Sequence, residues 1–488
     1  MTNNGIEGNC SSPAWQKGAE KRTVAVELSK AGYRTGFFGK YLNQYGRADA
    51  GGPEHVPPGW DRWYGLVGNS IYYNFSLSDD GVEVKDGDTY EADYLTKLVH
   101  EQSKAFIRGD AGRRDERRPR GKPFFAWVAP PAAHDPTMPA PQHAAELEGV
   151  GAPRVPSYGA SPDGKHWIMR FKPQDMSEGT DAQVYGDNLF RRRLLTLLSV
   201  DEMIADLVAE IEAMGELENT YIVFASDNGY HIGTYSALKD KRQPYETDIR
   251  VPAYVRGPGI DADAANTMDK PVLNIDFAPT FLDMAGVELP ADMDGASFLP
   301  LIAKRGASGR GDADSVRRGS DAGGDTWRTD FLLEFHGESW RPSVKEWGTC
   351  GQKSLACTWV GQEQYSVEPK YSGQPLCSCQ DSHNNTYRCV RDVGGAEERA
   401  RARERSAALA AQGSDEVANS GFVYCAWDDG EEEYYDLRND PWQLRNSVGD
   451  LSGPTLAKLR ARLAELSGCR AESCRSARRR RGRPHRGN

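Results

Sequence analysis

Long hydrophobic stretches and excess positive charge are both absent from this sequence. The 488 residues are 38% hydrophobic, and no window approaches the roughly 18 consecutive apolar residues of a membrane-spanning helix. Asp and Glu number 71 against 60 Lys and Arg, which gives a formal net charge of -11. Since nucleic-acid binding relies on positive surface charge, this balance argues against nucleic acid as the main partner. We therefore expect neither a membrane span nor a nucleic-acid partner.

Cysteine is almost missing from the first two thirds of the chain. Cys10 stands alone there, and the rest of the nine cysteines lie in the last third: Cys350, Cys357, Cys377, Cys379, Cys389, Cys425, Cys469 and Cys474. No C-x-x-C pair is repeated, so the spacing does not indicate a structural zinc site. Disulfide bonds formed in an oxidising compartment explain the pattern better, with one cysteine left over.

A recognisable secretion signal is also absent. The chain begins M-T-N-N-G-I-E-G-N-C, which has neither the charged segment nor the apolar segment of a signal peptide. Three N-x-S/T sequons, at Asn9, Asn74 and Asn384, nevertheless indicate a glycosylated, secreted protein. Two interpretations follow: the protein is cytosolic, or its original start is missing.

Residues 1–303 are predicted to form one α/β domain, with residues 1–22 irregular. Helical spacing of apolar residues alternates with short β-branched and aromatic runs, as in a sheet covered by helices. The predicted helices are Thr23–Ala31, Tyr90–Arg108, Asn188–Met214 and Asn274–Ala285, and the predicted strands are Tyr33–Gly39, Pro123–Ala129, Thr220–Ala225 and Val251–Val255. Among the strands, Pro123–Ala129 and Thr220–Ala225 are expected to be buried.

A smaller, cysteine-rich C-terminal domain is predicted over residues 330–470. Residues 304–329 are rich in Gly, Ser, Arg and Asp, and we expect them to form a flexible linker. Within the domain, Glu397–Val417 is predicted to be an exposed helix and Pro454–Leu466 an amphipathic helix. Residues 471–488 carry a run of arginines and are expected to be a basic, disordered tail.

Polar or charged residues follow the apolar strands of the first domain. They are Lys40, His134, Asp227 with Asn228, and the basic run that contains Lys241. Each alone has an ordinary explanation, such as a solvated cap, a loop residue or an Asp-Asn-Gly turn. Because open α/β sheets bind ligands at the carboxyl ends of their strands, the shared position indicates one site. Hard oxygen donors beside cationic side chains are typical of metal-assisted chemistry on an anionic ester.

Several long motifs resemble those of a known family. They are A-G-Y-R-T-G-F-F-G-K-Y-L-N-Q-Y-G at residues 31–46, G-G-P-E-H-V-P-P-G-W-D-R-W-Y at 51–64, S-D-N-G-Y-H-I-G at 226–233, D-K-R-Q-P-Y-E-T-D-I-R-V-P at 240–252 and C-S-C-Q-D-S-H-N-N-T-Y-R-C at 377–389. Together they resemble the sulfatases of the alkaline-phosphatase superfamily, in particular the glucosamine-6-sulfatase branch. The similarity covers nearly the whole chain apart from its low-complexity insertions.

The resemblance implies a fold and a function. The fold would be an alkaline-phosphatase-like mixed sheet with helices on both faces, followed by a smaller domain with an antiparallel sheet. The function would be removal of the 6-O-sulfate from N-acetylglucosamine units of glycosaminoglycans such as heparan or keratan sulfate. Such an enzyme would be lysosomal or extracellular, and its partner would be a sulfated sugar.

The resemblance also implies roles for the residues at the strand ends. Asp227 and Asn228 would be Ca²⁺ ligands, and His134 and Lys241 would hold the sulfate oxygens. Lys40 would lie beside the nucleophile and stabilise its ionised form. These roles agree with the oxygen donors and cations found at the strand ends from the residues alone.

The resemblance also implies a role for His231, and one position of this sequence departs from the family motif. His231 would approach the sugar or the leaving oxygen. Related sulfatases often carry G-K-x-H after the first strand, but residue 42 here is Leu42, followed by Asn43. The general acid or base is therefore not identified by the sequence.

The catalytic nucleophile of the family has no counterpart in this sequence. Sulfatases form a formylglycine within the motif C/S-x-P-S/A-x-R, and no stretch here matches it; Ser11-Ser12-Pro13-Ala14-Trp15 is the nearest imitation. Two Ca²⁺ ligands of the opening strand are missing as well, whereas Ca²⁺ takes about six to eight oxygens. We expect that the true start of the protein is absent, that its sheet has an unpaired position, and that the chain alone is inactive and unstable.

Two rival functions remain open. One is a sulfated-glycan-binding protein without catalysis, which uses Lys40, His134 and Lys241 to hold the anion. The other is a phosphoester hydrolase of the same superfamily, with a serine or threonine nucleophile.

Overall fold

A computed structural model describes residues 12–110, 122–260, 268, 270–303, 327–337, 356–359, 376–411 and 420–475. Most of the predicted linker and of the basic tail lie outside these residues, as do the sequon at Asn9 and the cysteines Cys10 and Cys350. The predicted domain boundaries stay predictions. No helix in the described ranges combines the length and the apolar character needed to cross a bilayer.

The central sheet has five strands. They are β1 (Arg34–Lys40), β2 (Arg62–Leu66), β3 (Ser76–Asp79), β4 (Val82–Lys85) and β5 (Phe124–Ala129), in the order β4-β3-β2-β1-β5. The β1 strand pairs in parallel with both β2 and β5, whereas β2-β3 and β3-β4 are antiparallel. The sheet is therefore mixed, as the sequence predicted. Part of the stretch 51–64, which reads as Pro- and Gly-rich, forms β2 and is buried.

The helices of this domain lie largely where the apolar spacing placed them. They are α1 (Pro13–Lys17), α2 (Val24–Lys30), α3 (Tyr90–Asp93), α4 (Leu95–Arg108), α5 (Asp181–Ala213), α6 (Glu246–Ile249), α7 (Phe277–Met284) and α8 (Leu299–Ile302). The prediction that residues 1–22 are irregular is wrong for the described part. The Ser12 hydroxyl accepts a hydrogen bond from the Trp15 N–H, and Pro13 occupies the first turn, so α1 has a proper N-terminus.

Both faces of the sheet are covered. Neighbouring residues of a strand point to opposite faces, and Phe37 and Phe38 of β1 illustrate this alternation. Phe38 packs with Phe106 of α4 in a core that also includes side chains of α5. Phe37 stacks on Trp63 with ring centroids 4.7 Å apart, within an aromatic cluster on the other face. The helix α2 contacts both β1 and α7.

A glycine allows β1 and β5 to approach each other closely. Gly39 pairs with Ala129 in the parallel register and has a φ of +108°. A Cβ atom at this position would lie 2.0 Å from the Ala129 carbonyl oxygen. Only glycine fits both constraints, since it lacks a side chain and tolerates positive φ. Lys40, the last residue of β1, and Pro130, which follows β5, therefore leave the sheet side by side.

Two short ribbons follow the central sheet. In the first, β6 (Ile222–Ala225) pairs with β9 (Ala253–Arg256), and in the second, β7 (His231–Ile232) pairs with β8 (Lys239–Asp240). The predicted strand after residue 219 is present, but the prediction that it is buried is wrong, because the side chain of Phe224 is 36% exposed. Across the described residues, β6 pairs with β9 along one edge. The residues of β6 also line a cavity.

This cavity has a volume of about 2730 Å³ and separates β5 from β6. Apolar side chains of both strands line it, together with side chains from α5 and α7. Trp127 of β5, expected to be buried, is 41% exposed. Within the described parts of the chain, β5 pairs with β1 on one edge, and neither β5 nor β6 has a strand on the edge towards the cavity. This geometry agrees with the unpaired sheet position that the sequence predicted.

The C-terminal region forms an antiparallel sheet, as predicted. Its elements are β10 (Asp330–Phe335), β11 (Ala356–Trp359), β12 (Cys377–Asp381), β13 (Tyr387–Asp392), α9 (Ala396–Ala411), β14 (Phe422–Trp427), β15 (Glu432–Asp436), α10 (Gly453–Ser467) and α11 (Glu472–Arg475). The order of the main sheet is β10-β13-β14-β15, with all pairs antiparallel. The predicted helices at 397–417 and 454–466 correspond to α9 and α10, and α10 packs on one face of this sheet.

The predicted disulfide bonds are present. Cys389 in β13 pairs with Cys425 in β14, and Cys469 pairs with Cys474. Cys377 and Cys379 each take part in a disulfide bond as well. The cysteines of the last third therefore stabilise the C-terminal region, where the sequence concentrates them.

The second face of the C-terminal sheet packs against the first domain. Lys165 is 1% exposed, and its Nζ lies 3.8 Å, 4.5 Å and 4.2 Å from the ring centroids of Tyr235, Tyr245 and Tyr435. It donates hydrogen bonds to the Tyr435 hydroxyl at 2.9 Å and to the Gln443 carbonyl. A buried ammonium surrounded by aromatic faces and acceptors joins the two regions.

The cavity between β5 and β6 leads to a prediction about apolar ligands. The folded protein should bind the neutral dye Nile red, because apolar side chains line this space. Replacing Trp127 with serine should lower the dye fluorescence. The matched control is Tyr254→Ser, since Tyr254 on β9 is 67% exposed but does not line the cavity. Equal fluorescence for the wild type and the Trp127 variant would contradict the prediction.

Candidate active site

The predicted site residues all line one cavity, the one that separates β5 from β6. They are Lys40, His134, Asp227, Asn228, His231 and Lys241. Lys40 ends β1, His134 follows β5, Asp227 and Asn228 follow β6, His231 begins β7, and Lys241 directly follows β8. The ends of separate strands thus place these polar residues on one cavity. Their roles stay predictions.

Lys40 lies in an environment that disfavours its charge. Burial lowers its pKa to about 8, with a further contribution from the cation of Lys241, while Asp227 acts in the opposite direction. Its Nζ donates a hydrogen bond to the Asn69 side-chain oxygen at 2.9 Å. Because a bound anion would favour the protonated form, this lysine is suited to bind a sulfate ester.

His134 is held in one tautomer by its own backbone. Its Nδ1 lies 2.6 Å from the Asp135 carbonyl oxygen, which can only accept, so Nδ1 carries the proton. Burial and the cations of Lys241 and Lys40 lower its pKa to about 4. Near neutral pH the Nε2 atom therefore has a free lone pair. The ring can donate to a sulfate oxygen only after Nε2 gains a proton.

The loop that carries His134 is fixed from two other directions. The Tyr72 hydroxyl donates to the His134 carbonyl at 3.1 Å. The guanidinium of Arg193 on α5 donates to the Ala133 carbonyl at 2.7 Å and lies 3.8 Å from the ring centroid of Tyr230. These bonds fix the backbone on both sides of the imidazole.

Lys241 lies in a segment that the C-terminal region holds. The Ser378 hydroxyl donates to the Lys239 carbonyl at 2.8 Å, and the Asn385 amide donates to the Arg242 carbonyl at 3.2 Å. Burial lowers the pKa of Lys241, opposed by the carboxylates of Asp227 and Asp240. Lys241 therefore lines the cavity on a segment that hydrogen bonds hold at both ends.

Asp227 and Asn228 present oxygen donors of the kind that Ca²⁺ binds. Asp227 is exposed and accepts the Asn228 N–H at 2.9 Å, and the Asn228 amide nitrogen donates to the Gly229 carbonyl at 2.7 Å. This orientation leaves the amide oxygen of Asn228 available. A Cβ at Gly229 would lie 2.1 Å from the Thr247 carbonyl, so glycine is required for the turn. The carboxylate and the amide oxygen are donor types that suit a calcium ion, and the pair would supply two of the about six to eight oxygens that such an ion takes.

His231 is 2% exposed and fixed by a carboxylate. Its Nδ1 lies 2.8 Å and 3.0 Å from the two oxygens of Asp248, which is itself 3% exposed. The Gln243 N–H also donates to Asp248 at 2.9 Å. The contact with substrate assigned to His231 stays a prediction, since the structure shows its orientation and no bound sugar.

Several site residues were not identified from the sequence. Asp135 forms an ion pair with Lys239 at 2.8 Å, and the Tyr230 hydroxyl approaches the same carboxylate oxygen at 3.3 Å. A partial signal was present, because Asp135 follows His134 and Lys239 precedes Lys241 by two positions. The contact itself spans 104 residues and depends on how the strands assemble.

A second group of potential metal ligands does not line this cavity. His166, Asp429 and Glu431 come close enough to share an ion. However, Asp429 already accepts from His166 Nε2 at 3.0 Å and from Trp167 Nε1 at 2.9 Å, and Glu431 pairs with Arg170. Because these contacts already engage both carboxylates, we assign no metal to the group.

Known sequences show clear similarity to this chain. A family model described as Sulfatase matches residues 1–287. The human N-acetylglucosamine-6-sulfatase is 40% identical over 481 residues, which cover 98% of this chain and 75% of that protein. A Drosophila melanogaster homologue of the extracellular sulfatase SULF-1 is 41% identical over 339 residues, which cover 69% of this chain and 27% of that protein.

Solved structures share the fold. One of them, a protein in complex with its substrate D-glucosamine-2-N,6-O-disulfate, superposes with a TM-score of 0.62 at 22% identity. The superposition covers 97% of this chain and 85% of that one. The mixed sheet and the C-terminal antiparallel sheet agree with this fold. By the extent of the family match and the identity to the human enzyme, the chain belongs to the sulfatase family.

Proposed function

We propose that this protein acts on the 6-O-sulfate of glucosamine units in a sulfated glycosaminoglycan such as heparan or keratan sulfate. Membership of the sulfatase family makes it a hydrolase of sulfate esters. The main observation behind this proposal is that one cavity is lined by Lys40, His134 and Lys241 together with Asp227 and Asn228. The specificity for glucosamine is supported by the identity to N-acetylglucosamine-6-sulfatases, which extends over 98% of the chain.

The chain's own residues would bind and polarise the sulfate group. Lys40 and Lys241 present two cations whose pKa values are lowered by burial, so an anion between them restores their preferred protonated state. Fixed cations also stabilise the negative charge that develops on oxygen as the S–O bond breaks. His134 would take up a proton at Nε2 when the anion binds, and it would then donate that proton towards an oxygen of the ester.

The proposed chemistry also requires a metal ion and a nucleophile. Asp227 and Asn228 would hold Ca²⁺, which when bound supplies further positive charge to the sulfate oxygens. Sulfatases in general use a metal and a formylglycine. This sequence contains no C/S-x-P-S/A-x-R motif from which a formylglycine forms, and we assign the nucleophile to no residue of the chain.

A second candidate function is binding of sulfated glycans without hydrolysis. The specific observation in its favour is that Lys40, His134 and Lys241 line one cavity, where they can hold an anion without a nucleophile. This function predicts binding that is sensitive to salt and independent of calcium. The phosphoester hydrolase proposed from the sequence is a third possibility, and aryl phosphate hydrolysis in place of sulfate release would favour it.

The partner and the compartment follow from the same observations. The partner would be a sulfated saccharide. The disulfide bonds Cys389–Cys425 and Cys469–Cys474 support an oxidising compartment, either lysosomal or extracellular. The sequons at Asn74 and Asn384 lie on exposed residues, as glycosylation requires.

The first test is binding of a defined 6-O-sulfated glucosamine oligosaccharide by isothermal titration calorimetry. Replacing Lys241 with alanine should weaken binding about tenfold or more, the magnitude typical of a lost charge-assisted hydrogen bond. The matched control is Lys85→Ala, because Lys85 is exposed on β4 and does not line the cavity. The unsulfated oligosaccharide should not bind. Equal affinity for the sulfated and unsulfated sugars would contradict the proposal.

Hydrolysis is tested in parallel with an aryl sulfate, an aryl phosphate and the sulfated oligosaccharide. Sulfate release from the oligosaccharide would support the proposal and would show that a residue outside a C/S-x-P-S/A-x-R motif supplies the nucleophile, since this sequence contains no such motif. Binding of the oligosaccharide without any sulfate release would favour the glycan-binding function. Release of phosphate alone would favour the phosphoester hydrolase.

The pKa of Lys40 predicts how binding depends on pH. In the free protein this pKa is about 8, and a bound anion raises it. Well below pH 8, Lys40 is protonated both in the free protein and in the complex, so its titration does not change the affinity. As the pH rises above about 8, the free protein loses a proton that the complex keeps, and affinity falls by at most about tenfold per pH unit.

The conservative variant Lys40→Arg tests this assignment. An arginine stays protonated throughout the range, so the decline above about pH 8 should weaken. Lys97→Arg on α4, which pairs with Glu101 away from the cavity, is the control and should show the wild-type profile. Titrations at a series of pH values provide the measurement. An unchanged decline in Lys40→Arg would assign the titration to another group.

A further inference from the structure

The ion pair between Asp135 and Lys239 connects two segments of the site. Lys239 Nζ lies 2.8 Å from Asp135 Oδ2, and the two side chains are 10% and 26% exposed, respectively. Asp135 directly follows His134, and Lys239 precedes Lys241 by two positions. The ion pair therefore connects the loop of His134 to the segment of Lys241. Both of these residues are proposed to bind the sulfate.

A third segment meets the same carboxylate. The Tyr230 hydroxyl lies 3.3 Å from Asp135 Oδ2, and Tyr230 follows the Asp227-Asn228-Gly229 turn closely. Its ring in turn contacts the Arg193 guanidinium at 3.8 Å. The carboxylate of Asp135 is thus the common partner of the histidine loop, the lysine segment and the turn that carries the candidate metal ligands.

The charges of the pair cancel each other near the site. Burial raises the pKa of Asp135, but the Lys239 cation and its hydrogen bond outweigh this effect, so the carboxyl is ionised and the pair is neutral as a unit. In contrast, the cations of Lys40 and Lys241 both disfavour a charge on His134. The two lysine cations repel each other, and the uncharged imidazole of His134 offers them no opposite charge, so the spacing of these groups must come from other contacts.

We propose that Asp135 and Lys239 are positioning residues that set the spacing of His134 and Lys241 for one sulfate group. The inference rests on the proposed function, in which these two residues bind the sulfate oxygens. Neither Asp135 nor Lys239 needs to touch the substrate in this role. Their contribution is geometric, since a neutral pair adds no net charge to the cavity.

Neutral replacements separate positioning from electrostatics. The single variants Asp135→Asn and Lys239→Met each leave one buried charge without its partner, so both should lose stability for that reason alone. The double variant Asp135→Asn/Lys239→Met keeps the net charge of the site and removes the connection. We expect it to fold and to bind the 6-O-sulfated oligosaccharide about tenfold more weakly, as for residues coupled within one network.

The rescue and control variants exclude a general loss of stability. Lys239→Arg keeps the ion pair and should keep wild-type affinity. Glu246→Gln/Arg391→Met removes another buried ion pair, with an N–O distance of 2.7 Å and side chains 6% exposed for Arg391 and 15% for Glu246. This control should lose thermal stability and keep its affinity. Wild-type affinity in the folded Asp135/Lys239 double variant, or an equal loss in the control, would overturn the proposal.

A second measurement does not depend on the sugar. The pKa of His134 can be followed by NMR in the absence of ligand, with its resonance assigned by its loss in His134→Gln. Asp135 itself raises the pKa of His134, whereas the Lys241 cation lowers it, so the effect of Lys241 is measured in both backgrounds. If the pair sets the spacing, Lys241→Met should raise the pKa of His134 in the wild type and raise it less in the double variant, because Lys241 is no longer held nearby there. An equal rise in both backgrounds would overturn the positioning role. Failure of the wild type to bind the sugar would instead reject the proposed function alone.

Discussion

The parallel pairing of β1 with β5 is the constraint on which the site depends. The two strands approach so closely at Gly39 that a Cβ there would lie 2.0 Å from the Ala129 carbonyl oxygen. Their chains therefore leave the sheet side by side, one into Lys40 and the other into the loop of His134. A side chain at position 39 would separate the strands and, with them, Lys40 and His134.

The site gathers positive charge against its own electrostatics. Burial and mutual repulsion lower the pKa values of Lys40 and His134. A sulfate ester reverses both effects, because an anion between the groups favours their protonated forms. The free protein maintains this arrangement through neutral contacts, such as the hydrogen bond from Tyr72 to the His134 carbonyl and the ion pair of Asp135 with Lys239. Preorganisation of this kind is what electrostatic catalysis requires.

The C-terminal region contributes to the site as well as to stability. Ser378 and Asn385 donate hydrogen bonds to the backbone on both sides of Lys241. The buried Lys165 and its three tyrosine rings hold the two regions against each other. The family model ends at residue 287, yet the identity to the human enzyme extends over 98% of the chain. A C-terminal sheet that supports the lysine segment gives a physical reason for this extent.

The sequence by itself determined the α/β class, the long helices and the apolar strands of the first domain, and the polar residues that end those strands, because apolar periodicity and strand-end motifs are local signals. Even there, a capping contact of Thr180 lengthened the helix predicted from Asn188. The mixed sheet followed from the resemblance to the sulfatases. Only the tertiary structure decided the exposure of Phe224, the enclosure of His231 by Asp248 and the partner of Asp135. These features depend on which strand edges and distant loops meet, and a single sequence does not encode such contacts in its local pattern.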